Sequence, residues 1–179
     1  SMHLDRMEAS ASYFNFYFDR AAIASRLLAL STLFESEALY RVRLLLDEWG
    51  EFSIQHSKHV ADAPDTIVRA LLSAERTSSR DLFLRHKTTH RELYQSEFAR
   101  CRAAGFDEVI FLNERDEVTE GAISNIFIRT QGELRTPPLR SGVLPGIFRR
   151  FLLETDRSAK EEILTMQDLE SAEAIYLCN

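Results

Sequence analysis

The sequence predicts an α+β fold in two parts, and three observations carry that expectation. Residues 4–34 place apolar side chains at helical spacing, and residues 40–46 then alternate apolar with charged. Beyond Val109, short apolar runs follow one another with turn residues between them, which suits a sheet or barrel-like domain better than a doubly wound one. Between the halves, residues 73–80 read SAERTSSR, polar and without periodicity, as a linker does. The expected division is a small α/β domain over 1–75, a linker over 76–82 and a larger barrel-like domain over 83–179.

Leu4, Met7, Ala11 and Phe14 form one face of an opening helix, with Arg6 off that stripe. Asp19 is suited to cap a second helix, whose inward stripe is Ile23, Leu27, Leu30 and Phe34. Tyr40, Val42, Leu44 and Leu46 make a half-buried strand, and Gly50 turns the chain into a partner strand through Phe52 and Ile54. His56 and His59, three residues apart on that strand, fall on opposite faces and do not share a metal. Pro64 is expected to break the chain, with a further strand over 66–74.

After Lys87 comes a helix with Tyr94, Phe98 and Cys101 on one face and Gly105 at its end. Residues 109–112 read as a buried strand, 114–117 as a turn, and 118–120 as a strand pairing back. A strand over 123–128, a turn at Gly132 and a strand over 134–136 follow, stopped by Pro137-Pro138. A loop over 139–146 leads into a helix over 146–153 with Ile147 and Phe151 inward. Thr165 and Asp168 form a capping box with Asp in place of Glu, and 174–177 reads as a final buried strand.

Apolar residues make up 45% of the chain and charged residues 28%, an ordinary globular balance. The net charge of −6 offers no basic face, which sets nucleic acid aside as a partner. No apolar run has membrane-spanning length, and no signal peptide is expected, with Ser1-Met2 read as a cloning remnant. Cys101 and Cys178 stand apart and outside any metal motif, as free thiols do in a reducing cytoplasm.

Three stretches are suited to chemistry. LRHKTTHRELY (84–94) carries Lys87, whose amine can condense with an aldehyde. VTEGAISNIF (118–127) carries Glu120 at a strand end, where a carboxylate can pair with a protonated ring nitrogen. SGVLPGIFR (141–149) runs into a helix whose first N–H groups can receive a phosphate. In that order the three suit one phosphate-bearing aldehyde cofactor and a small-molecule substrate. Singly, each has a plainer reading: a surface lysine, a strand-end glutamate, a loop-to-helix junction.

These stretches, with HLDRMEASASYF at the start and HKTTHR at the centre, resemble the class IV, fold-type IV enzymes that use pyridoxal 5′-phosphate. That group includes branched-chain and D-amino-acid aminotransferases. The likeness is greatest to the aminodeoxychorismate lyases, especially the form fused behind a synthase component. The resemblance implies Lys87 and Glu120 as catalytic residues. It implies cofactor binding by Arg6 of the His-x-x-Arg motif, Leu144, Gly146, Ile147 and Phe148, with Ser124 and Asn125 near the ring. Arg91, four residues after Lys87 and so one helical turn on, is expected to face the same pocket and hold a substrate carboxylate. The resemblance implies a homodimer, and the free thiols a cytoplasmic protein. It also implies further strands before His3 and a phosphate-contacting residue after Asn179, so the chain is expected to be truncated at both ends. Lyase, aminotransferase and an inactive assembly module all remain open.

Overall fold

Local signals in the first sixty residues set one helix pair and one hairpin. The computed structural model describes residues 1–61, 63 and 66–179. Helix α1 (Met2–Tyr13) buries Leu4 and Ala11 on the predicted stripe. Helix α2 (Arg20–Ser31) begins where Asp19 accepts from the Ala22 N–H, 2.9 Å, satisfying one orphan donor of the first turn. Arg20 ties the two helices by donating to Asp5 and Glu8. Strands β1 (Leu39–Leu46) and β2 (Phe52–His59) pair antiparallel, joined by a turn in which Asp47 accepts from the Trp49 and Glu51 N–H groups. Gly50 sits there at φ +88°, a conformation that a Cβ would strain. The alternation on β1 is looser than expected: Val42 is exposed.

The chain divides into two compact units, Ser1–Thr66 and Ile67–Asn179. The division lies upstream of the linker expected over 76–82. Arg76 and Thr77 end strand β3 (Ala70–Thr77), which pairs parallel with β4 (Glu108–Asn113). The polar letters of 73–80 misled because Ser73 and Thr77 are buried in that sheet with partners, Ser73 donating to Glu97 and Thr77 to the Leu112 carbonyl. The break expected at Pro64 lies outside the described residues.

Seven strands form the sheet of the second unit: β3 and β4, then β5 (Val118–Gly121), β6 (Asn125–Thr130), β7 (Glu133–Thr136), β8 (Ala159–Glu161) and β9 (Ala174–Cys178). They run β3-β4-β5-β6-β7-β8, with β9 pairing β6. Every residue of β4 is buried, as its apolar run predicts. One core cluster gathers Ile110, Leu112, Val118, Ile126 and Ile128; another packs Tyr94 and Cys101 of helix α3 (Glu92–Ala103) against Val109 and Phe111. Gly105 follows α3 at φ +83°, as its place after the helix predicts.

Four details differ from expectation. Strand β6 starts at Asn125, because residues 121–124 are spent on the turn from β5. The short strand β8 was not read from the sequence. Strand β9 is only half covered, with Ile175 and Tyr176 exposed. Helix α4 (Ile147–Thr155) turns Arg149 inward and leaves Phe151 exposed. Arg149 is held inside because it donates to the Pro137 carbonyl, 2.8 Å, and to Glu161, 2.5 Å. The capping box is present, with Thr165 and Asp168 reciprocally bonded at the start of α5 (Met166–Ser171).

Candidate active site

Lys87 lies on the irregular segment between a 3-10 turn (Leu82–Arg85) and α3, at the centre of a tight turn in which the Thr88 N–H donates to the His86 carbonyl, and it is exposed. Asp81 fixes that turn by accepting from the Phe83 N–H, 2.9 Å. Arg91 is the N-cap residue of α3, so Lys87 is outside the helix and the expected one-turn relation between the two does not hold. Arg91 instead donates to the Ala122 carbonyl on the β5–β6 turn, and its guanidinium lies 4.8 Å from the Tyr94 ring centre.

Glu120, near the end of β5, is buried. Its Oε1 accepts from the Tyr94 hydroxyl, 3.2 Å. Its Oε2 accepts from Asn125 Nδ2, 3.1 Å, and from the Leu144 N–H, 2.9 Å. Asn125 also donates to the Leu144 carbonyl, 3.0 Å, so one amide ties β6 to the loop before α4. Burial pushes the Glu120 carboxyl up to about 7, against the pull of the Leu144 N–H, Arg91, Tyr94 and Lys87. Burial and the neighbouring Glu120 push the Tyr94 hydroxyl far above its usual range. His86 is lowered by burial and by Arg85.

A cavity of about 300 Å³ opens against Glu120, Tyr94, Arg91, His86, Arg76 and Leu144. The structure thus brings Glu120, Leu144 and Arg91 to one cavity, with Lys87 near enough for its charge to act on Glu120. Gly146 abuts Asn125: a Cβ there would overlap Asn125 Oδ1, so any larger residue must displace that amide. Gly146 caps α4 without a side chain, and Ile147 and Phe148 open the helix. Arg6 lies on α1 in the first unit, half-buried, its pKa lowered by burial. Ser124 turns away to donate to Glu108, 2.5 Å. Among the described residues no cluster could hold a metal ion, and no helix is long and apolar enough to cross a membrane.

Sequence reading passed over Tyr94 as a core aromatic and Glu108 as a charged strand end. The signal for Tyr94 was its hydroxyl, which a buried tyrosine needs to satisfy. For Glu108 it was a carboxylate opening an otherwise apolar strand.

The sheet topology and this site define a fold-type IV enzyme. The amino-transferase class IV family model matches residues 1–179, and the chain belongs to that family of pyridoxal-phosphate-dependent enzymes. A Mesorhizobium loti structure provisionally named an amino-acid aminotransferase is 34% identical, with a TM-score of 0.90, over 99% of this chain and 84% of that one. A Schizosaccharomyces pombe protein provisionally named aminodeoxychorismate lyase is 26% identical over 99% of this chain and 78% of its own length. A Methanocaldococcus jannaschii protein provisionally named a branched-chain-amino-acid aminotransferase is 36% identical over 41% of this chain, a stretch that spans 27% of that protein.

The residues present fit the cofactor. A buried carboxylate with a proton affinity near neutrality faces the cavity, and an amine lies within its electrostatic reach. A helix of nine residues opens on a glycine beside them.

Proposed function

We propose that the protein is a pyridoxal-phosphate-dependent lyase that converts 4-amino-4-deoxychorismate to 4-aminobenzoate and pyruvate. The observation that carries this reading is a cavity wall on which two arginines, Arg91 and Arg76, stand among the acids Asp81, Glu92 and Glu120. A substrate with two carboxylates is complemented by two such arginines. In this reading Lys87 holds the cofactor through its amine and moves the substrate proton. Glu120 faces the ring nitrogen and keeps it protonated. Leu144 packs on the ring, while Arg6 and the α4 N-terminus at Gly146, Ile147 and Phe148 hold the phosphate. When bound, pyridoxal phosphate supplies an electron sink for the pair left by proton removal. A homodimer belongs to the same proposal, and sedimentation tests it.

A second reading, an amino-acid aminotransferase on the same scaffold, is favoured by the likeness to the Mesorhizobium loti structure. Product analysis separates the two. The lyase reading expects pyruvate and 4-aminobenzoate from aminodeoxychorismate, and slow transfer from branched-chain or D-amino acids to a 2-oxo acid. Transamination outpacing pyruvate release hands the assignment to the second reading. Borohydride reduction with pyridoxal phosphate, followed by peptide mapping, should mark Lys87. Equal labelling of Lys87→Ala sinks the central role. Arg91→Ala should lower kcat/KM for aminodeoxychorismate roughly ten- to a hundred-fold through loss of a charge-assisted hydrogen bond.

A further inference from the structure

We propose that Tyr94 is a positioning residue for Glu120, holding its Oε1 and governing which proton state that carboxyl presents to the cavity. The inference rests on the reading of Glu120 as the partner of the cofactor ring. Oε2 is met by the Asn125 amide and the Leu144 N–H, both of which can only donate. The Tyr94 hydroxyl on Oε1 is different: it can donate to the carboxylate or accept from the protonated acid. A proton on Glu120 therefore sits on Oε1, facing Tyr94.

Tyr94 is itself held in place. It is buried, its ring lies 4.6 Å from that of Phe111, and Arg91 covers its face. Arg91 is anchored in turn on the Ala122 carbonyl, so helix α3 and the β5–β6 turn lock the hydroxyl against the carboxyl. The charged groups that act on Glu120 are Arg91 at the start of α3 and Lys87 on the preceding segment; Asp81 acts on Tyr94. The cavity wall adds His86, His90, Arg76 and Glu92, while β6 and the loop before α4 contribute the neutral Asn125 and Leu144 donors. Tyr94 stays a neutral hydroxyl across the working range, so it stabilises the ionised carboxylate without adding charge.

Tyr94→Phe keeps the ring, the Phe111 contact and the face under Arg91, and removes only the oxygen. The test is the carboxyl titration of Glu120 in cofactor-free protein, followed by ¹³C NMR of glutamate-labelled samples and assigned with Glu120→Gln. The expected result is an upward move of the midpoint by roughly one pH unit, the loss of one hydrogen bond to the charged form. An unmoved or lowered midpoint overturns the proposal. The second arm is the pH profile of pyridoxal phosphate affinity, which should move by the same amount. A moved titration with an unmoved affinity profile upholds the tie between Tyr94 and Glu120 and fails the assignment of Glu120 to the cofactor.

Discussion

Glu108 and Glu120 are buried carboxylates on neighbouring strands of one sheet, and they are used in opposite ways. Glu108 is closed in by protein donors. It accepts from the Val109 and Ala122 N–H groups, 3.0 Å each, from the Ile123 N–H, 3.3 Å, and from Ser124 Oγ, 2.5 Å. The Ala122, Ile123 and Ser124 donors lie on the β5–β6 turn, and Gly121 leaves the space, since a Cβ there would come 2.8 Å from the Glu108 carboxyl. Glu120, at the other end of that turn, is met by Tyr94, Asn125 and Leu144 but borders a cavity. A buried carboxylate surrounded by the fold's own N–H groups acts as a structural clamp. One that faces open volume is available to a ligand. The pair teaches that burial alone does not mark a functional acid; what its oxygens meet does.

The largest expected effect breaks the clamp. Glu108→Ala takes the acceptor from the buried Ser124 hydroxyl and the half-buried Ile123 N–H and leaves the Ala122 N–H only the Val109 carbonyl, and should destabilise by about 3–5 kcal/mol in denaturant unfolding. Glu120→Ala opens onto the cavity, where water can replace the carboxyl, and should lose only about 1 kcal/mol while abolishing cofactor retention. Equal losses would erase the distinction.

The second effect is a pH slope. Glu120 holds its proton to about pH 7 in the folded chain against 4.5 ordinarily. Its stabilising contribution is therefore full below about pH 4.5 and lost as pH rises through 7. At 1.36 kcal/mol per unit that gap amounts to about 3 kcal/mol. Glu114 and Glu117 carry the opposite sign, because their hydrogen bonds, from Ser79 and Arg115 respectively, hold them down to about 2. Their contribution is lost only as pH falls from 4.5 toward 2, and His86, lowered by burial, also acts in the acid direction. Unfolding of cofactor-free protein at pH 5 and 7.5, compared with Glu120→Gln, isolates Glu120. A difference that stays constant across that interval contradicts its raised proton affinity.

A third change reaches Glu120 without touching it. The Cβ of Gly146→Ala would overlap Asn125 Oδ1, and Asn125 must move off Glu120 Oε2 and the Leu144 carbonyl. Gly146 has φ −63°, so the cost is contact and not backbone strain. Stability should fall by about 2 kcal/mol, and pyridoxal phosphate should bind roughly ten-fold more weakly by titration. Unchanged affinity would separate Asn125 from the site.

The elements were legible where signals are local. Asp19, Gly105 and the Thr165–Asp168 box act within a few residues, and the apolar run of β4 declares its own burial. Lys87 and Glu120 were singled out by their order along the chain and by the family resemblance, since each alone has a plainer reading. What stayed hidden depends on partners far along the chain. Tyr94 meets Glu120 across 26 positions, and Arg149 is drawn inside by Glu161, 12 positions on. Ser73 and Thr77 looked like linker letters until the parallel pairing with β4 gave them a sheet to enter. Periodicity reports which face is apolar, and it is silent on which polar side chain will find its counterpart.

The smallest predicted effect sharpens the comparison from the clamp side. Ser124→Ala removes one of Glu108's donors and leaves the Val109, Ala122 and Ile123 N–H groups in place. Backbone donors fixed by a turn cannot leave when a side chain is trimmed, so Glu108 keeps most of its coordination. The loss should be about 1 kcal/mol by denaturant unfolding, that of a single hydrogen bond. Because Ser124 donates to Glu108, the Glu120 titration and the affinity for pyridoxal phosphate should both stay within error of the parent. A stability loss with both properties intact keeps the two carboxylates as separate devices on one turn. A shift of the Glu120 midpoint in Ser124→Ala would mean that the turn transmits from one to the other, and that the clamp is part of the site.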